Sequence, residues 1–205
     1  MTTKPVFTGS YREGDVEFLL TPVTIELTSV EEKEALIQSG KKHYSDMLSQ
    51  APAQTAYHLD LFSKATTIGA KRLATEVMML AVSLLKEYGN TPIVLASLVR
   101  AGVPLGVMLQ RALTMLGKES YHYGISIIRD RGIDEAALSV IEQRHGTEGI
   151  VWVDGWTGKG AITKELTKAL SGRAGYPAQP RLVVLADPCG CAWMSATEDD
   201  WLIPF

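Results

Sequence analysis

Continuous apolar stretches alternate with segments of helical periodicity through most of the chain. Strands are predicted over PIVLASL (92–98), YHYGISII (121–128), GIVWVD (149–154) and RLVVLAD (181–187), and helices over 104–117, 134–145 and 160–170. Strands that are apolar throughout, without alternation, are typical of a sheet covered by helices on both faces. The order of elements therefore predicts an α/β fold with a doubly wound, mainly parallel sheet.

The first part of the chain has a different pattern. A strand-like stretch from Val16 to Leu27 is interrupted at Pro22, and a capping box at Ser29 and Glu32 opens a helix that ends near Gly40. The stretch 49–54 is typical of a linker, and a long helix is predicted over 56–88. We expect residues 1–55 to form a small hood-like segment packed over the site, and residues 56–205 to form the α/β core.

Composition narrows the class of protein. Hydrophobic residues make up 46% of the chain, charged residues 21%, and the net charge is −3. This is an ordinary globular mixture, and a general nucleic-acid binder would be basic. The polar N-terminus is no signal peptide, and no apolar run approaches the length of a membrane span. With two cysteines, too few for a disulfide scaffold, a cytoplasmic protein is expected.

The stretch DGWTGKG (154–160), directly after the third core strand, has the features of a phosphate-binding loop. Glycines let the backbone turn tightly, and successive N–H groups before a helix bind phosphate. Thr157 and Lys159 add a hydroxyl donor and a positive charge, and the carboxylate of Asp154 suits sugar hydroxyls or a metal. The stretch does not match a Walker loop, and an ordinary structural turn is the alternative.

Two further loops follow neighbouring strands. LVRAG (98–102) places Arg100 at a strand end, before a turn into a helix with Pro104 in its first turn. SIIRDRG (126–132) places Arg129 and Arg131 on the next connecting loop. In a parallel doubly wound sheet these loops lie at one edge, where ligands bind. We therefore prefer three anion-binding loops to three unrelated polar loops.

Taken together, these loops resemble the type I phosphoribosyltransferases. VWVDGWTGKGA resembles their signature strand and phosphate loop, LVRAG their pyrophosphate loop, and SIIRDRG the start of their mobile loop. With GSYREGDVEFLL, IQSGKKHYSDML and LADPCGCA, the chain is similar to a narrower family. These are phosphoribosyltransferase-like proteins encoded with bacterial tellurium-resistance stress operons, and some are labelled cysteine protease StiP.

The resemblance implies transfer of phosphoribose from 5-phosphoribosyl-1-pyrophosphate to an unknown, nucleobase-like acceptor, with Mg²⁺ held by the ligand and by Asp154. Catalytic roles fall to Asp154, Arg129 and Arg131. The remaining assignments are a 5-phosphate site (Thr157, Gly158, Lys159, Gly160, Ala161), a pyrophosphate site (Arg100, Ala101, Gly102) and acceptor-flanking positions (Trp156, Asp187). The donor and the acceptor are the expected partners, without nucleic acid or membrane. A homodimer is left open.

Two departures from the family pattern keep other functions open. Gly155 stands where a second acidic residue is usual, and the usual acidic general base is missing. A non-catalytic phosphoribosyl or nucleotide sensor is therefore one alternative. A cysteine peptidase that uses Cys191 as its nucleophile is another, with His43 the preferred base among the four histidines. The apolar WLIPF end (201–205) leads us to expect a truncated chain with a missing C-terminal domain.

Overall fold

The computed structural model describes residues 7–202, and seven strands in this range form one sheet. The strand order is β1-β3-β2-β5-β6-β7, and every neighbouring pair in that order is parallel. β4 pairs antiparallel with the end of β3. The bounds are β1 (Glu17–Phe18), β2 (Ile93–Val99), β3 (Ser120–Ile128), β4 (Gly132–Ile133), β5 (Ile150–Trp156), β6 (Leu182–Ala186) and β7 (Met194–Thr197).

Helices cover both faces of this sheet, which confirms the predicted doubly wound α/β class. On one face, α4 and α5 bury Leu138 and Leu166 against the strands. On the other face, α3 and the later turns of α2 bury Leu109 and Leu84. The helices are α1 (Val30–Gln38), α2 (Ala56–Tyr88), α3 (Gly102–Met115), α4 (Glu135–His145) and α5 (Ala161–Leu170), and a 3-10 turn spans Tyr44–Asp46.

The described chain divides into two compact units, and the division differs from the predicted one at residue 55. The first unit contains residues 7–20 and 68–202, and so holds the whole sheet. Residues 7–20 belong with the sheet because β1 pairs with β3, and the N–H of Leu19 donates to Gly124 O (3.0 Å). Coverage of the site by residues 1–55 stays a prediction.

The second unit spans Thr21–Thr67 and is mostly local structure. The predicted capping box is seen at its helix, where Ser29 Oγ accepts from the N–H of Glu32 (3.2 Å) before α1 begins. The predicted strand to Leu27 is too long, since only an isolated bridge between Leu27 and Leu48 forms there. Pro22 lacks the N–H that a continuing ladder needs.

Within residues 7–202, no helix combines the length and apolar character that crossing a bilayer requires.

Candidate functional site at the carboxyl edge of the sheet

The loops after β2 and β5 touch through their backbones. A Cβ on Gly102 would lie 2.1 Å from Val153 O and 3.1 Å from the Cα of Asp154, so only glycine allows this approach. A Cβ on Gly155 would lie 3.2 Å from Ala101 O. The predicted pyrophosphate loop therefore lies directly beside Asp154 and Gly155, as the parallel topology requires.

Arg100 lies at the exposed tip of this arrangement. It follows β2, its peptide bond with Val99 is cis, and its carbonyl accepts from the N–H of Val103 (3.1 Å) as α3 begins. In the first turn of α3 the N–H of Val103 is thus used and Pro104 has none, which leaves the N–H of Gly102 for an anion. Arg100 adds a full positive charge at the same place.

A buried hydrogen-bond chain fixes the loop that follows β2. The Ser97 hydroxyl lies 2.7 Å from His122 Nε2 and 3.2 Å from Gly102 O, and His122 Nδ1 lies 2.6 Å from Asp15 O. Burial lowers the pKa of His122 to about 4, so its ring stays neutral. Our sequence analysis missed this support, although a histidine inside an apolar strand was the available signal.

Asp154 is the buried carboxylate of the site. Asp154 is 7% exposed, and its Oδ1 accepts from the N–H of Gly155 (2.7 Å). Burial raises the pKa of Asp154 to about 6, against a small lowering by that hydrogen bond. A carboxyl group at a strand end whose ionised form is disfavoured by burial is a candidate for ligand binding.

Thr157 and Asp187 are hydrogen-bonded to each other within the protein, and their assignment to ligand binding stays a prediction. The Thr157 hydroxyl donates to Asp187 Oδ1 (2.7 Å), and the N–H groups of Cys191 and Ala192 donate to the same carboxylate. Burial raises the pKa of Asp187, but these hydrogen bonds outweigh it and hold the pKa below its ordinary value. The hydroxyl of Thr157 is thus engaged within the protein, and Asp187 joins the loops after β5 and β6.

In the rest of the predicted phosphate loop, the N–H of Gly160 donates to Thr157 O (2.8 Å), which closes a tight turn. Gly158 (φ +54°) and Gly160 (φ +76°) both have left-handed conformations that favour glycine. A Cβ on Gly158 would lie 2.8 Å from Cζ3 of Trp156, which is 46% exposed. Gly160 precedes α5, whose first residue is Ala161, and Lys159 is exposed beside it. This loop presents backbone N–H groups, a helix N-terminus and one cation.

The turn from Arg129 to Arg131 lies at the same edge, because it follows β3, the neighbour of β2. Asp130 has φ +67°, and its N–H donates to Glu165 Oε2 in α5 (3.2 Å). Arg129 and Arg131 are exposed on either side of it. β4, which the sequence did not predict, folds this stretch back on β3 as a tight hairpin.

Both cysteines lie beside α5. They line a cleft of about 450 Å³ together with Lys159, Lys164 and Lys168. Cys191 is half-buried, and its thiol donates to Thr163 Oγ1 (3.3 Å), whereas Cys189 is exposed.

The four histidines have other contacts. In the first unit, His122 bonds Ser97 and His145 bonds the Tyr123 hydroxyl (2.8 Å). In the second unit, His43 Nδ1 bonds Ser45 Oγ (2.8 Å), and the backbone of His58 bonds Thr55. The first unit therefore pairs neither of its histidines with Cys191.

The fold and the site define a doubly wound α/β protein whose anion-suited loops meet at the carboxyl edge of a parallel sheet. A family model described as "Tellurite-like stress resistance cysteine protease StiP" matches residues 9–205, and the chain belongs to this family. The resemblance to this family drawn from the sequence is thereby confirmed.

A curated relative and solved structures are also similar. Over 202 residues the chain is 57% identical to "Cysteine protease StiP" of Acinetobacter baylyi; this covers 98% of the chain and 52% of the relative, so the chain spans about half the relative's length. Hypoxanthine phosphoribosyltransferase from Trypanosoma cruzi with its product IMP is 18% identical, with a TM-score of 0.49, covering 63% of this chain and 77% of that one. A 1.4 Å structure of that enzyme is 19% identical, with a TM-score of 0.48, covering 62% and 77%.

Proposed function

We propose that this chain binds 5-phosphoribosyl-1-pyrophosphate and transfers its phosphoribosyl group to a small acceptor. The observation that carries this proposal is the backbone contact between the loop at Arg100–Gly102 and the strand end at Asp154–Gly155. That contact sets two anion-suited loops on either side of one buried carboxylate, and a sugar carrying phosphate at one end and pyrophosphate at the other suits this arrangement.

Each loop has a part in the proposed reaction. The N–H groups of Gly158, Lys159 and Ala161, with the Lys159 side chain, hold the 5-phosphate, and the start of α3 with Arg100 holds the pyrophosphate. Asp154 accepts the ribose hydroxyls. The bond from ribose C1 to pyrophosphate breaks as the acceptor's bond to C1 forms; pyrophosphate leaves with the bonding electron pair, and the acceptor's proton passes to water. Positioning and charge stabilisation are the protein's contribution.

The residues present suit Mg²⁺ only when it is shared with the ligand. No group of three or more potential metal-binding side chains exists among residues 7–202. Asp154 has one carboxylate oxygen beyond the one that Gly155 uses. Mg²⁺ is commonly bound by one or two carboxylates together with substrate phosphates. Asp154 would hold the ion, which would neutralise charge on the pyrophosphate.

Arg100→Ala should weaken pyrophosphate binding, because it removes a charge-assisted contact worth roughly 1.5–3 kcal/mol. Calorimetric titration of pyrophosphate measures this loss. Arg12→Ala is the matched control, since Arg12 is also an exposed arginine of the first unit but lies outside the proposed loops. Equal affinity in the wild type and the Arg100 variant would remove this residue from the site.

Gly155→Asp should raise turnover or leave it unchanged, with little effect on donor affinity. The substitution restores the second carboxylate, which matters mainly in the transition state, whereas backbone N–H groups hold the phosphate. The added Cβ would lie 3.2 Å from Ala101 O and needs only a small shift. The measurement is pyrophosphate release with a panel of nucleobases and small aromatic acceptors. Fast release by the wild type would show that Gly155 is no handicap.

A cysteine peptidase is the second candidate function. It is favoured by the name of the Acinetobacter baylyi relative and by the position of Cys191 in a cleft beside the start of α5. Against it, neither histidine of the first unit is paired with that thiol. Cys191→Ala should retain donor binding. If the variant abolishes a demonstrated peptidase activity while Gly158→Val leaves that activity intact, the peptidase is the correct function.

A further inference from the structure

The cleft beside α5 combines two free thiols with a cationic surface, and the proposed transfer uses neither thiol. Gly190 (φ +64°) turns the chain between Cys189 and Cys191. Both sulfur atoms lie beside Gly160: a Cβ on that glycine would be 3.2 Å from Cys189 Sγ and 3.5 Å from Cys191 Sγ. A hydrogen bond with Cys191 is the main cause of a raised pKa at Cys189, followed by burial. The two thiols therefore lie close to each other on one side of Gly160.

The opposite wall of the cleft is one face of α5. It carries hydroxyls and lysines at helical spacing, namely Thr163, Lys164, Thr167, Lys168 and Ser171. No carboxylate lines the cleft, and among residues 7–202 neither Lys164 nor Lys168 forms an ion pair. This face extends over about 12 Å at 1.5 Å per residue. It suits an extended ligand that carries several negative charges.

We propose that Cys189 and Cys191 are a redox-active dithiol, and that the lysine face of α5 binds the anionic low-molecular-weight disulfide that oxidises them. One cysteine thiolate attacks a sulfur of the bound disulfide, and the other half of the ligand leaves as a thiol after taking a proton. The second cysteine then attacks the mixed disulfide and releases the remaining half. The two protein thiols lose two electrons and two protons, and the ligand disulfide gains them.

The chain is well suited to a direct test, because these are its two cysteines. The reduced protein is mixed with oxidised glutathione, which is anionic, or with cystamine, a cationic disulfide. Remaining thiols are titrated and intact mass is recorded over time. We expect the anionic disulfide to react about tenfold faster at low salt, as charge steering allows. We expect a product without adduct that has lost both thiols. Cys189→Ser and Cys191→Ser should each retain the glutathione adduct.

Variants that remove lysine charges test whether the preference for the anionic disulfide comes from the cleft or from the general reactivity of the two thiols. Lys164→Gln with Lys168→Gln should bring the two disulfides close to equal rates. Lys71→Gln with Lys86→Gln, which changes two exposed lysines elsewhere, should retain the preference. Equal rates in the wild type, or a persistent adduct on the wild type, would overturn the proposal. The proposal would also be overturned if the chain unfolded by urea kept the same preference for the anionic disulfide.

Oxidation should also affect the proposed phosphate loop, because both sulfur atoms lie within 3.5 Å of the position that a Cβ on Gly160 would occupy. This consequence rests on the proposed function. The oxidised protein should bind the phosphoribosyl donor more weakly than the reduced protein, as calorimetry would measure. Absence of donor binding in the reduced protein would contradict the proposed function but not the dithiol. Unchanged donor binding after complete oxidation would contradict only this coupling.

Discussion

Asp154→Asn should stabilise the folded chain at pH 8 by up to about 3 kcal/mol, and should weaken donor binding by roughly 10- to 100-fold. The stability gain follows from the pKa of this carboxyl, which burial raises from 3.8 to about 6 in the folded state. Well below pH 4 the carboxyl is protonated in both the folded and the unfolded chain. Between about pH 4 and pH 6 the unfolded chain ionises it while the folded chain keeps it protonated, so wild-type stability falls across this range and levels off above it. Asparagine removes that cost.

Urea denaturation of wild type and Asp154→Asn at pH 4 and pH 8 measures this effect. The difference in the free energy of unfolding should be small at pH 4 and largest at pH 8. Asp187→Asn is the matched control, since hydrogen bonds lower the pKa of this buried carboxyl despite burial. Its replacement should destabilise the chain at pH 8. A destabilised Asp154→Asn variant at pH 8 would show that the carboxylate has a structural role.

Gly158→Val should weaken donor binding by roughly 100-fold. The variant loses a backbone hydrogen bond to a charged phosphate, and such a bond contributes about 3 kcal/mol. Valine disfavours φ +54°, and its Cβ would lie 2.8 Å from the ring of Trp156. The loop must therefore move away from the position in which its N–H groups can surround a phosphate. Calorimetry with the donor measures the change.

Gly172→Val provides the control for strain alone. Gly172 also has a left-handed conformation (φ +74°) and follows the other end of α5, with nothing within 4 Å of a Cβ. Both variants should lose stability, and only Gly158→Val should lose donor affinity. Unchanged affinity in a folded Gly158→Val chain would contradict the assignment of the phosphate loop.

The sequence predicts most of the core, because its signals there are local. Apolar runs define β2, β3, β5 and β6, and helical periodicity places α2 at Ala56–Tyr88 as expected. β7 (Met194–Thr197) was missed because it is a half-buried edge strand without an apolar run. β4 was missed because two residues in a hairpin leave no periodic pattern.

The sequence predicts where the candidate site lies, but it does not predict the side-chain hydrogen bonds within the site. Residues at the ends of β2 and β5 meet because parallel strands end at one edge of the sheet, which a sequence pattern can reveal. The hydrogen bond between Thr157 and Asp187 joins residues that are 30 positions apart. The bond between Ser97 and His122 spans 25 positions. No local pattern specifies such pairs, and so the engagement of Thr157 within the protein was not foreseen.

Calorimetric titration of 5-phosphoribosyl-1-pyrophosphate with Mg²⁺ into the reduced wild-type chain tests the proposed function most directly. We predict saturable binding at one site per chain, retained in Cys191→Ala and weakened roughly 100-fold in Gly158→Val. Absence of binding to the folded wild type, or equal binding by the Gly158 variant, would contradict it. Binding without pyrophosphate release for any acceptor would instead identify the chain as a sensor of the phosphoribosyl donor.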